Sequence, residues 1–198
     1  IQKVFVLAIE MDELGIATSP HAPAAAATGL GYSKMAFLCS ILAEFIRNLG
    51  FEAIPAGNDT GLSIPLAIDA GLGQIGRNGL LITPEYGPRI RLCKIFTDLP
   101  LIPDSPIDFG VTEFCRECKL CAEACKADAI SKETEPSWQP SCASNNPGAL
   151  KWYVNSEKCY SYWCENGIDC STCIAVCPYN PSENRKAHRY FWDQQNEN

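Results

Sequence analysis

The chain has 198 residues, 16 of them basic and 23 acidic, for a net charge of −7. That length holds one large domain or two modest ones with a sizeable core. An acidic chain without a basic stripe argues against nucleic acid as a main partner.

In chain order, "VFVLAIE" (Val4–Glu10) is a continuous apolar run and predicts a buried strand. "SKMAFLCSILAEFIRNLG" predicts a helix over 33–50: Met35, Leu38, Leu42, Phe45 and Leu49 recur at three- and four-residue steps, and Gly50 suits the C-terminal cap. "FEAIP" predicts a short strand, and "NGLLIT" and "RIRLCKIFTDL" two more. Strands alternating with a helix suggest an α/β layer over about residues 1–100. Pro100, Pro103 and Pro106 mark a boundary, so the first domain is placed at 1–111. A cysteine-rich second domain follows at 112–181, with a polar inserted loop at about 131–157 and a tail at 182–198. The sequence starts on an apolar stretch without Met and shows no signal peptide, twin-arginine motif or transmembrane run. It reads as a fragment of a longer gene product.

The 12 cysteines leave two readings, disulfides or metal ligands. Ten follow residue 114 and seven of those fall in two compact runs, which favours metal over a disulfide framework of the small secreted kind. The first run is Cys115-x2-Cys118-x2-Cys121-x3-Cys125. The second is Cys170-x2-Cys173-x3-Cys177-Pro178, completed upstream by Cys159. This is the bacterial two-cluster ferredoxin pattern, in which the fourth cysteine of each run ligates the other cluster. One [4Fe–4S] cluster is therefore assigned to Cys115, Cys118, Cys121 and Cys177, the other to Cys125, Cys159, Cys170 and Cys173. Zinc ribbons rarely use two four-cysteine runs of this kind. Cys164 is the alternative to Cys159. Cys39, Cys93 and Cys142 are read as structural or surface thiols. Lys126 stands where proline usually follows the fourth cysteine. Two such clusters carry electrons but do no bond chemistry alone, so the first hundred residues must hold an acceptor.

Those residues are dense in glycine: "ATGLGYSKM", and "GNDTGLSIPLAIDAGLGQIGRNGLLITPEYGPRIRL". Glycines let backbone approach a large ligand closely. "GLGQIG" matches G-x-G-x-x-G as a string, but it does not sit between a buried strand and a long helix, so a dinucleotide site is rejected.

"GYSKMAFL", "IRNLGFEAIPAGND", "AGLGQIGRNGLLITPEYGPRIRL" and the two cysteine runs together resemble the corrinoid-dependent reductive dehalogenases, most closely those acting on chloroethenes. The resemblance implies an α+β protein: a nitroreductase-like α/β corrinoid-binding core followed by a two-[4Fe–4S] ferredoxin-like domain. It implies a cobalamin-type cofactor bound base-off and Co(I) chemistry on small organohalides. D-x-H-x-x-G, the lower-ligand motif of other corrinoid proteins, is missing, and neither His21 nor His188 looks like a cobalt ligand. By motif, the catalytic tyrosine falls on Tyr32, its asparagine partner on Asn58 and the basic partner on Arg91, with Arg89 second. Gly29, Gly31, Gly57, Gly71, Gly73, Gly76 and Arg89 are carried over as cofactor-binding residues. The resemblance also implies a low-potential electron donor, twin-arginine export, and a small anchor protein at the outer face of the cytoplasmic membrane.

The implied chemistry has a physical logic. Reductive cleavage leaves a carbanion- or radical-like carbon that needs a proton. A phenol is a neutral acid at pH 7, and a nearby cation stabilises the phenolate left behind. Without the resemblance, Tyr32, Asn58 and Arg91 read as a packing residue, a turn residue and a surface charge. Two other functions compete. An epoxyqueuosine reductase would want a basic RNA-facing surface. A plain ferredoxin-type carrier would leave the first hundred residues without a purpose.

Overall fold

The computed structural model describes residues 2–180; the tail and His188 lie outside them. A three-stranded antiparallel sheet organises the first half. Its strands are β1 (Lys3–Glu10), β2 (Ala53–Ala56) and β5 (Ile90–Thr97), in the order β1-β5-β2. Central β5 pairs on both sides, Leu7 opposite Cys93 and Ile54 opposite Phe96. Both faces of the sheet are covered, which is why β1 and β5 read as continuous apolar runs rather than alternating ones. Helix α2 (Ala22–Asn48) covers one face, packing Met35, Cys39, Ala43 and Ile46 against Ile9, Cys93 and Ile95. Helix α3 (Ser63–Asp69) covers the other, with Ala67 against Ile90 and Leu81.

Helix α2 begins eleven residues before the expected Ser33. Pro23 is pre-set for the first turn and four alanines follow, so helix propensity overrides the glycines that suggested a loop. Tyr32 thus lies well inside the helix rather than at its start. The C-cap is Leu49, with Gly50 at φ +93° just beyond it. By length and composition α2 is apolar enough to span a membrane, contrary to the sequence reading. Its inner face packs on the sheet, whereas Phe37, Ile41 and Phe45 on the outer face are exposed.

Helix α1 (Glu13–Ala17) was not anticipated; Asp12 caps it, accepting from the Gly15 amide at 2.7 Å. "GLGQIGRNGLLI" forms a hairpin of β3 (Gln74–Ile75) and β4 (Leu81–Ile82), closed by Gly76 N–H to Leu80 O at 2.9 Å. A turn and a second strand follow the glycines, and this hairpin has no place for a dinucleotide at a helix N-terminus.

Among the described residues, the cysteine-rich half carries four short helices: α4 (Val111–Glu117), α5 (Leu120–Glu123), α6 (Ser156–Asn166) and α7 (Thr172–Ala175). Its core is shared with the first half. Ile82 packs with Val111, Cys115, Trp152, Cys177 and Tyr179. Met11, Ile16 and Ala27 pack with Ile174. The expected polar loop at 131–157 is partly core: Trp152 and Tyr153 are each 3% exposed, and bridges join Ser137 to Lys151 and Ile130 to Val154.

Candidate active site

Three residues from three separate elements meet at one point. Tyr32 projects from α2, Asn58 from the loop after β2, and Arg91 from β5. The Asn58 amide donates to the Tyr32 hydroxyl oxygen at 3.1 Å. The Arg91 guanidinium carbon lies 4.7 Å from the Tyr32 ring centroid, in cation–π range. Arg91 Nη2 also donates to Thr28 Oγ1 at 3.3 Å, while its Nε is buried without a partner. Gly31 makes this arrangement possible: a Cβ there would stand 3.3 Å from Arg91 Cγ and 3.0 Å from Met11 Cγ. The absent side chain lets the arginine stem pass under α2 to reach the ring.

Asn58 is held by a buried cation. Lys94 on β5 is fully buried; its Nζ donates to Gly57 O at 2.7 Å and to Ser63 Oγ at 3.1 Å, tethering both ends of the loop.

Tyr32 and Arg91 line a cavity of about 590 Å³ whose opposite wall is made by the cysteine-rich half. Cys125, Cys159, Cys170 and Cys173 all line it, beside apolar Leu80, Ile130, Trp152, Val154, Trp163 and Ile174. The Thr28 and Ser171 hydroxyls, 3.5 Å apart, join the two walls.

Among the residues carried over as cofactor-binding, Gly29 lines this cavity and has open space at its Cβ position. The structure places the others elsewhere. A Cβ at Gly71 would meet Ser105 O at 2.6 Å, and one at Gly73 would meet Ile82 O at 2.0 Å. Gly76 faces the Ile82 side chain at 2.9 Å, and Gly57 faces Met35 at 3.5 Å. At Gly71 and Gly73 the missing side chain lets backbone approach backbone. Arg89 ties β1 to β5, pairing with Glu10 Oε1 at 2.7 Å and donating to the Met11 carbonyl. His21 is exposed at the N-cap of α2.

The cysteines separate into two sets by mutual influence. Burial raises the Cys177 thiol, and Cys115, Cys121 and Cys118 raise it further. Cys121 is pushed up to about 12, first by burial and then by Cys115 and Cys118. In the second set, burial raises Cys159, followed by Cys125 and Cys170. Cys173, raised chiefly by burial, feels both sets. The grouping runs parallel to the two sets expected from the spacing, except that Cys121 of the first set is the thiol that acts most on Cys173. Cys164 is exposed, whereas Cys159 lies within the second set. Among the described residues, no three His, Cys, Asp or Glu side chains close on a single metal ion. Buried thiols that disfavour ionisation need a strong cationic partner to become thiolates, which an iron–sulfur cluster at each set would be. The donor chemistry fits.

Sequence reasoning missed Arg77. It sits in the β3–β4 turn, 1% exposed, and donates to the carbonyls of Cys115 and Cys118 while stacking on Trp152. A single arginine in a glycine-rich turn has no periodic signature.

Residues 114–181 match the 4Fe-4S dicluster domain family. The chain is 52% identical over 185 residues to a tetrachloroethene reductive dehalogenase of Desulfitobacterium hafniense, covering 92% of this chain and 34% of that protein. It is 31% identical over 150 residues to an epoxyqueuosine reductase of Listeria monocytogenes, covering 74% of this chain and 37% of that protein. Among solved structures, the catabolic reductive dehalogenase NpRdhA superposes with a TM-score of 0.81 at 27% identity, covering 94% of this chain and 27% of that one. The chain thus spans about a third of the length of the curated relatives it matches. With half its residues shared across nine-tenths of its length, the chain is similar to a segment of the reductive dehalogenases.

Proposed function

We propose that the full-length protein is a reductive dehalogenase that removes halide from small organohalides, chlorinated ethenes in the first instance, with Tyr32 as proton donor. One observation carries this reading: Tyr32, hydrogen-bonded by Asn58 and stacked by Arg91, faces the same cavity as Cys125, Cys159, Cys170 and Cys173. The proposed proton donor and electron source line one cavity.

The chain's own residues have definite tasks. Asn58 donates to the phenol oxygen, so the hydroxyl hydrogen is left to point at substrate. The same amide and the Arg91 cation stabilise the oxygen once that proton has moved to carbon. The phenolic proton is the one positioned at the cavity wall, beside the apolar lining. Cys115, Cys118, Cys121 and Cys177 hold one [4Fe–4S] cluster and Cys125, Cys159, Cys170 and Cys173 the other, the second beside the cavity. A corrinoid, which the family resemblance implies, would be held by the cavity wall that carries Gly29, Tyr32 and Arg91 and would supply the low-potential metal chemistry for carbon–halogen cleavage. Gly29 leaves room for it on the α2 side. A low-potential donor feeds the clusters. The family resemblance supports twin-arginine export and a small anchor protein at the outer face of the cytoplasmic membrane.

An epoxyqueuosine reductase would meet tRNA with a basic surface, and the −7 charge disfavours it. A plain electron carrier has no use for the Tyr32 constellation. The test is anaerobic reconstitution of the full-length protein with iron, sulfide and corrinoid, followed by halide release from chloroethenes with a low-potential donor. Absence of halide release with all cofactors bound would sink the reading. Tyr32→Phe is expected to keep full cofactor content and to lose about 10²–10⁴ in rate, the usual worth of a positioned general acid. Unchanged activity would remove Tyr32 from the chemistry.

A further inference from the structure

Arg77 presents a charge that nothing around it balances. Its guanidinium, always cationic, donates to five carbonyl oxygens, those of Cys115, Arg116, Cys118, Ser131 and Glu133, at 2.5–3.4 Å. The Trp152 ring lies against it at 4.6 Å. Each of these partners is neutral, and among the described residues no carboxylate pairs with it. A buried cation with full hydrogen bonding but no counter-charge is costly. Three of the carbonyls belong to the segment that carries Cys115 and Cys118. Four thiolates around an iron–sulfur cubane form an anionic group, and that group gains one more negative charge for each electron it accepts from the donor.

We propose that Arg77 is the resident counter-ion of the cluster held by Cys115, Cys118, Cys121 and Cys177, and that its charge raises that cluster's reduction potential. The inference rests on the two-cluster assignment above. The side-chain hydrogen bonds of Arg77 go to the main chain of the first set, at Cys115 and Cys118, rather than to that of the second. The asymmetry biases an electron toward the cluster whose ligands do not line the cavity. An electron is then held in reserve behind the cluster beside the cavity, which suits a reaction that needs two electrons delivered singly.

The test is a redox titration of the full-length, reconstituted protein followed by electron paramagnetic resonance, comparing wild type with Arg77→Gln and Arg77→Lys. Iron and sulfide analysis comes first: a wild-type protein without two [4Fe–4S] clusters would overturn the assignment itself, and the charge proposal with it. With both clusters present, Arg77→Gln is expected to lower the midpoint potential of one cluster and leave the other unmoved. Arg77→Lys is expected to stay close to wild type. Unshifted potentials in a fully loaded Arg77→Gln protein, or equal shifts in both clusters, would overturn the proposal. If Gln prevents assembly, Lys decides. A loaded Arg77→Lys protein at near wild-type potential supports a role for charge; a lost cluster or a lowered potential overturns it in favour of hydrogen-bonding geometry alone.

Discussion

Gly31 and Asn58 show how single positions shape the site. At Gly31 a leucine would drive Arg91 and Met11 away from α2, since even a bare Cβ stands at 3.0–3.3 Å from them. Gly31→Leu is expected to keep the fold and lose roughly a hundredfold in kcat, the usual effect of displacing a catalytic group by about 1 Å. Steady-state kinetics at constant cofactor content would check it. Asn58→Ala removes one neutral hydrogen bond, worth about 1 kcal/mol, so a loss of about fivefold in rate is expected. Cys93 makes a pH prediction away from the site. Burial, then neighbouring Cys39, pushes its thiol from 9.0 up to about 12. The folded state therefore holds this proton more tightly than the unfolded chain. The associated stability is complete below about pH 9 and disappears as pH rises toward 12. Urea midpoints measured across that range should fall, and Cys93→Ala should flatten the fall.

Lys94 links one element to another. It lies on the α3 face of β5 and fastens the loop that presents Asn58. Lys94→Met preserves most of the stem but frees Gly57 and Ser63. We expect the variant to slow turnover as Asn58→Ala does, with the double variant no slower than either alone. Additive losses in that double-mutant cycle would show that Lys94 does not act through Asn58. The elements legible in the sequence were those with a long physical signal. β1 and β5 are continuous apolar runs because helices cover both sheet faces, and the second half of α2 carries a three-and-four rhythm. The first half of α2 was illegible because glycines interrupt an otherwise helix-favouring alanine run. α3 has seven residues and a proline near its start, too little for a period to emerge. The cysteine sets were readable from spacing alone. Tyr32, Asn58 and Arg91 were not, since their meeting depends on three elements brought together; only family resemblance singled them out. Arg77 left no trace, because its acceptors lie 38–56 residues away and are main-chain atoms.

Across the whole molecule, the boundary expected near residue 111 divides the sequence more cleanly than it divides the fold. Ile82 from the first half packs with Cys115 and Cys177, and Ile174 from the second packs with Met11 and Ile16. Iron chelation is therefore expected to destabilise both halves together. A thermal scan of the stripped protein should show one transition at lower temperature, not an intact first half beside a melted second. Two resolved transitions would show that the halves are independent.

The shared cavity wall has a further outcome for life in changing air. Under the proposed assignment, oxygen that strips a cluster at Cys125, Cys159, Cys170 and Cys173 would also loosen one side of the pocket facing Tyr32, which these cysteines line. Damage then falls on current supply and on the reaction chamber in the same event. Exposure should produce all-or-none inactivation of individual molecules, with surviving activity tracking the number of intact molecules rather than a population of slowed ones.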